Sequence, residues 1–173
     1  MRPERGRGTL TGARKVVLCG LMAASLTVLK MAMSPLPNIE PVSLLVMVYA
    51  MVFGRQVIWI VLPFVAVEGL LYGFGPLWWP GYLYVWPLWG WLCAKLPPDR
   101  PLAAAVASGA FGLSFGALFA PLYLFAGGPW AAVAWWISGI PFDLLHCAGN
   151  FALALALQRP LYRVLTRLRA GLG

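Results

Sequence analysis

Five ionisable side chains, Lys30, Glu40, Glu68, Asp143 and His146, lie in or beside apolar stretches where charge is costly, and Asn38 and Asn150 accompany them as uncharged polar groups. An ionisable group inside a bilayer marks a functional site by default, because its desolvation must be offset by a partner or a ligand. Asp143, His146 and Asn150 are spaced three and four apart, so a helix places all three on one face. A carboxylate, an imidazole and an amide on one stripe can hold a polar ligand by hydrogen bonds, or hold helices together. Lys30 could pair with Glu68 or Asp143, or snorkel toward headgroups. Glu40 could equally be a solvated loop residue or a charge near a helix start.

Aromatic residues crowd the same regions. Trp78, Trp79 and Tyr82 follow one polar loop, and Trp130, Trp135 and Trp136 follow another. An interfacial belt accounts for many of them. Their density also suits stacking on a flat ring, or a cation held over ring faces. Trp78, Trp79, Tyr82 and Trp135 are the expected stacking surfaces.

The elements that position these groups follow from composition. The chain has 173 residues, 61% hydrophobic and only 10% charged. An ordinary soluble domain carries about 25% charged residues, so the composition points to an all-α integral membrane protein. Six apolar segments are expected: Lys15 to Met33, a short Pro41 to Phe53, Gln56 to Tyr72, Trp79 to Ala94, Pro101 to Phe125, and a long sixth from Pro129 to about Leu168. Prolines and glycines punctuate the breaks. Residues 1–14 read as a basic tail, 15–168 as a six-helix membrane domain and 169–173 as a second tail. A charged start before an apolar run resembles a signal peptide, but no clear cleavage site follows Met33, so the run reads as a retained first span.

Orientation follows from the basic residues. With six spans, twelve of the thirteen Lys and Arg fall on one side, and Lys30 is the exception. The positive-inside rule then places both termini in the cytoplasm of a multi-pass protein of the cell membrane. The +8 net charge suits anionic lipid rather than nucleic acid, since no basic face accompanies a folded polar surface. Cys19, Cys93 and Cys147 are isolated, so no zinc site or disulfide framework is expected, and nothing in the sequence calls for a metal or cofactor. No phosphate-binding loop, zinc-protease motif or nucleophile elbow occurs, so no catalytic residue and no enzymatic activity are expected.

Small residues add a last pattern. Ser108, Gly112 and Gly116 form a stripe suited to packing within the bundle. Gly20 and Ala24, four apart on the first helix, suit either that role or contact with a partner membrane protein.

The stretch 37–45 (PNIEPVSLL) followed by Val52-Phe53-Gly54, the segment 68–75 (EGLLYGFG) and the run 138–150 (SGIPFDLLHCAGN) resemble the substrate-binding (S) components of energy-coupling-factor transporters, in a subgroup without an assigned substrate. The resemblance covers about residues 15 to 168. It implies a subunit that captures a vitamin-like micronutrient from outside. It also implies partners, a transmembrane coupling protein and two cytoplasmic ATPases, with Gly20 and Ala24 nearest to the family's small-residue coupling motif. Set beside the residues, it gives an expected pocket bounded by Lys30, Asn38, Glu40, Glu68, Asp143, His146 and Asn150, for a polar or cationic heteroaromatic ligand, thiamine-like before flavin-like. Two rivals stand: a self-sufficient proton-coupled carrier, against which the missing inverted repeat argues, and a non-transport scaffold.

Overall fold

The computed structural model describes residues 12–35 and 39–171. They are all-helical: α1 (Gly12–Ala32), α2 (Val42–Phe53), α3 (Ile58–Tyr72), α4 (Trp78–Cys93), α5 (Pro101–Leu113) and α6 (Phe115–Gly171), with a 3-10 turn over Gly54–Val57. Three stretches, Gly12–Ala32, Val42–Tyr72 and Pro101–Gly171, are long and apolar enough to cross a membrane by length and composition. Taken singly, α2, α3 and α4 have 12, 15 and 16 residues, fewer than the roughly 20 of a straight crossing.

The first four apolar segments become α1 to α4 within a few residues of their expected limits. The fifth does not stay whole. Pro101 to Phe125 was expected as one helix, but α5 stops at Leu113 and α6 starts at Phe115. Ser114 stands at the break, and its hydroxyl donates to the Ala110 carbonyl at 2.8 Å. Such back-bonding competes with the helical ladder and bends it. α1 includes Gly12 to Arg14, and α6 runs through Gly171.

Within α6 the chain reverses at Gly128, whose φ of 80° suits a residue without Cβ. The two arms, 115–127 and 129–171, then run antiparallel. Tyr123 stacks on Trp135 with centroids 4.0 Å apart. Gly116 lies against Asp143, Gly112 against His146 and Gly109 against Cys147 and Phe151. The contacts move away from Gly128 along both arms together, and the pairing continues into α5. A Cβ on Gly112 would stand 2.7 Å from the His146 carbonyl oxygen. The small-residue stripe therefore serves packing inside the bundle.

α2 is the centre of the molecule, with all twelve of its residues buried. A helix apolar on every side is stable only when surrounded. Trp89 of α4 donates its indole N–H to the Ser43 carbonyl at 2.8 Å, which satisfies the buried indole and ties α4 to α2. At the base, Gln158 donates to the Pro98 carbonyl at 3.2 Å. Arg169 donates to the Val52 carbonyl and lies 5.3 Å from the centroid of the Phe53 ring. The last turns of α6 are thus fastened to the end of α2, while Arg159, Arg163 and Arg167 remain exposed.

Candidate functional site

α1 packs on α3, and α3 on α4. This brings Lys30, Glu68 and Tyr82 together near one end of the bundle. The Lys30 ammonium donates to Glu68 Oε2 and, at 3.2 Å, to the Tyr82 hydroxyl. It also stands 5.4 and 5.1 Å from the ring centroids of Tyr72 and Tyr82. Of the two partners open to Lys30 in the sequence, the fold selects Glu68. The Glu68 side chain is fully buried and that of Lys30 is 20% exposed, so the pair sits at a boundary, carboxylate inward and ammonium outward. Glu68 Oε1 has no hydrogen-bond partner among the described residues.

Glu40 belongs to the connection before α2. Burial pushes its carboxyl above the usual carboxylate range. Lys30 pulls it back and the Glu68 charge raises it further. Ile39 beside it lies against Gly149 of α6.

The opposite wall is the α6 hairpin. The break at Ser114 leaves the N–H of Gly116 free of the helical ladder, and Asp143 takes it with both oxygens, at 3.0 and 3.1 Å. A Cβ on Gly116 would stand 2.5 Å from Asp143 Oδ2 and push that carboxylate aside. His146, one turn further along, is buried, and its Nε2 has no hydrogen-bond partner among the described residues. Its ring meets Phe115 edge-on with centroids 5.0 Å apart.

Between the walls lies a cavity of about 700 Å³, within the roughly 300–1,000 Å³ typical of small-molecule sites. It is lined by Lys30, Glu40, Trp78, Tyr82, Trp135, Asp143 and His146 from the expected set. It lies toward the end of the bundle that carries Ser34, Glu40, the 73–77 connection and the turn at Gly128. Arg55, Lys95, Arg100 and the arginines of the α6 tail belong to the other end, and among the described residues Lys30 is the one Lys or Arg at the cavity.

Other expected residues fall elsewhere. Glu68 is behind Lys30 rather than on the lining. Trp79 turns away: its indole N–H donates to the Val65 carbonyl at 3.0 Å and its ring meets Phe74 edge-on at 5.0 Å, over the bare backbone of Gly69. Asn150 shares the face of Asp143 and His146 but lies below the cavity, donating to the Ser108 carbonyl at 3.3 Å. Asn38 lies outside the described residues. Gly20 and Ala24 are exposed on a face of α1 shared with Val17, Leu21 and Val28.

The cavity also uses aromatics the sequence reading left out. Phe115, Phe119 and Tyr123 rise along the first arm of α6 at intervals of four, while Tyr72, one of the aromatics crowding the 73–77 loop in the sequence, closes the α3 side. The four-residue spacing is a helical signal that places all three on one face. Among the described residues, no group of three His, Cys, Asp or Glu side chains could hold a metal ion.

No family model, curated protein or solved structure matches this chain.

Proposed function

We propose that this chain is a multi-pass membrane protein with six crossings, and that it is the substrate-capture subunit of an energy-coupling-factor type importer. In this reading the cavity opens to the exterior and both termini face the cytoplasm. It receives a small polar or cationic heteroaromatic compound of the vitamin class. One observation carries the reading: a cavity of about 700 Å³ at the arginine-poor end of the bundle, walled by aromatic rings and bounded by Glu40, Asp143 and the Lys30–Glu68 pair. Two lining carboxyl groups, Glu40 and Asp143, beside a Lys30 already paired with Glu68 favour a ligand with positive charge, and ring faces add cation–π attraction. A purely structural set of charges would have no need of an adjoining cavity.

Transport energy comes from partners in this reading, a transmembrane coupling protein and two cytoplasmic ATPases. The exposed, small-residue face of α1 around Gly20 and Ala24 is where the coupling protein docks. Co-expression with such a module and purification through a tag on this chain tests the proposal. The expected result is a complex containing both ATPases, and uptake that stops when their ATP hydrolysis is disabled. Uptake by this chain alone, driven by a proton gradient, would replace the proposal with an autonomous carrier. Neither complex nor uptake would favour a scaffold.

A further inference from the structure

We propose that the floor of the cavity, where Asp143 and His146 meet the broken joint between α5 and α6, is a subsite for a planar nitrogenous cation. Its ligand presents two N–H donors on one edge, as an amidinium, a guanidinium or a protonated amino-heterocycle does. The inference rests on the capture reading and adds which chemistry enters first and which residues read it.

The geometry of Asp143 leaves acceptor capacity unspent. A carboxylate has about four lone-pair sites. Here a single N–H, that of Gly116, lies 3.0 and 3.1 Å from the two oxygens, so one bifurcated donor serves both. The residue is 5% exposed and lines the cavity, so the unspent capacity faces that space. His146 is 4% exposed, lines the same cavity, and has an unpartnered Nε2. A buried polar group without a partner costs free energy comparable to a lost hydrogen bond. His146 Nε2 without a partner and Asp143 with spare acceptor capacity, one helical turn apart beside a cavity, fit a ligand edge with two donors.

Access favours the same assignment. Gly139 lies one turn above Asp143 on the same face and lines the cavity. A Cβ there would meet nothing within 4 Å, so the approach to the carboxylate is open. Phe115 and Phe142 flank the floor, giving a flat ligand apolar walls while its edge points down. Lys30 is committed to Glu68 and Tyr82 on the other wall, so the cation at the mouth does not neutralise Asp143.

Isothermal titration calorimetry on the full-length protein in detergent micelles tests this with defined probes. Benzamidinium carries the two-donor charged edge, and benzamide is its neutral counterpart of equal size. The expected result is that benzamidinium binds at least about tenfold tighter than benzamide, as suits a charge-assisted hydrogen bond. Asp143→Asn, whose amide oxygen can still accept from Gly116, should remove that preference. Gly139→Leu should block both probes, since the added side chain fills the approach without meeting protein atoms at Cβ. Equal affinities for the two probes, or a preference that survives Asp143→Asn, would overturn the floor assignment while leaving the capture reading in place. Absence of saturable binding by either probe to the unmodified protein would overturn both.

Discussion

Asp143 and Gly116 face each other across the α6 hairpin, with both carboxylate oxygens on one backbone N–H. In an apolar surrounding, a helix broken in mid-course must find substitutes for its lost backbone bonds. The aspartate does so for Gly116, and in the same position it borders the cavity. One side chain therefore mends the fold and faces the space a ligand would fill. The predictions below follow from that arrangement and from the Lys30–Glu68 pair.

Glycines should differ sharply in what they tolerate. Gly116→Ala would drive a methyl into the Asp143 carboxylate, and Gly112→Ala into the backbone carbonyl of His146. Each is expected to destabilise by about 1–3 kcal/mol, the range for overpacking, and Gly112→Ala more, because backbone cannot swing aside. Gly20→Ala meets nothing within 4 Å and should hold or raise the melting temperature, since Ala is the better helix former. Thermal melts of the three variants in one detergent check the order.

The Lys30–Glu68 pair should behave as a unit. Removing one partner strands a charge beside the core, which costs about 3–5 kcal/mol when the site is buried. Lys30→Met leaves Glu68 wholly buried and unpaired, so it should be the more damaging single change. Glu68→Gln leaves an ammonium that is 20% exposed and can turn outward. The double variant is expected to be more stable than Lys30→Met alone. A double-mutant cycle read by thermal unfolding measures the coupling; strictly additive losses would show that the two groups do not interact.

Glu40 supplies a pH dependence. Burial raises its carboxyl above the usual range, so the folded protein favours the protonated form. Between the unfolded and folded pKa values the unfolded chain binds fewer protons, and this group's contribution to stability falls as pH rises through that window. Glu40→Gln mimics the protonated state. It should melt a few degrees higher than the parent near pH 7.5, with the gap closing as pH falls below the unfolded carboxylate value. A gap of opposite sign, or one that is flat with pH, would contradict the assignment.

Much of this was legible in the sequence, for reasons that can be traced to single residues. Apolar runs and their prolines gave α1 to α4, because periodicity and breakers act locally. The stripe Asp143, His146, Asn150 was readable because helical spacing is rigid. Its depth was not: Asn150 shares the face yet meets Ser108, since where a stripe leaves the cavity depends on where the facing hairpin arm packs. Ser114 could not be identified as a break, because serine is common inside helices and only the Asp143 carboxylate, 29 residues away, stabilises the opened joint. Trp79 is a similar case. Nothing local tells which of two adjacent tryptophans turns toward Gly69. Lys30 was the residue that broke the charge asymmetry, and the fold gives the cause in its partner Glu68.

Orientation can be read by labelling. In a variant lacking Cys19, Cys93 and Cys147, single cysteines at Ser34 and Gly127 should react with an impermeant maleimide on intact cells. Cysteines at Arg55 and Asp99 should react only after the membrane is opened. All four positions are exposed on the protein surface, so burial would not mask the result. Labelling of both sets from one side would rule out the six-crossing topology.

The most direct measurement is native mass spectrometry of the full-length protein released from micelles after incubation with a small-molecule cell extract. A capture site at the Asp143–Lys30 cavity predicts one nitrogen-containing adduct per chain, lost in Gly139→Leu, weakened in Asp143→Asn and kept in Gly20→Ala. An adduct indifferent to both cavity variants, or a chain that stays bare in every extract offered to it, would contradict the account.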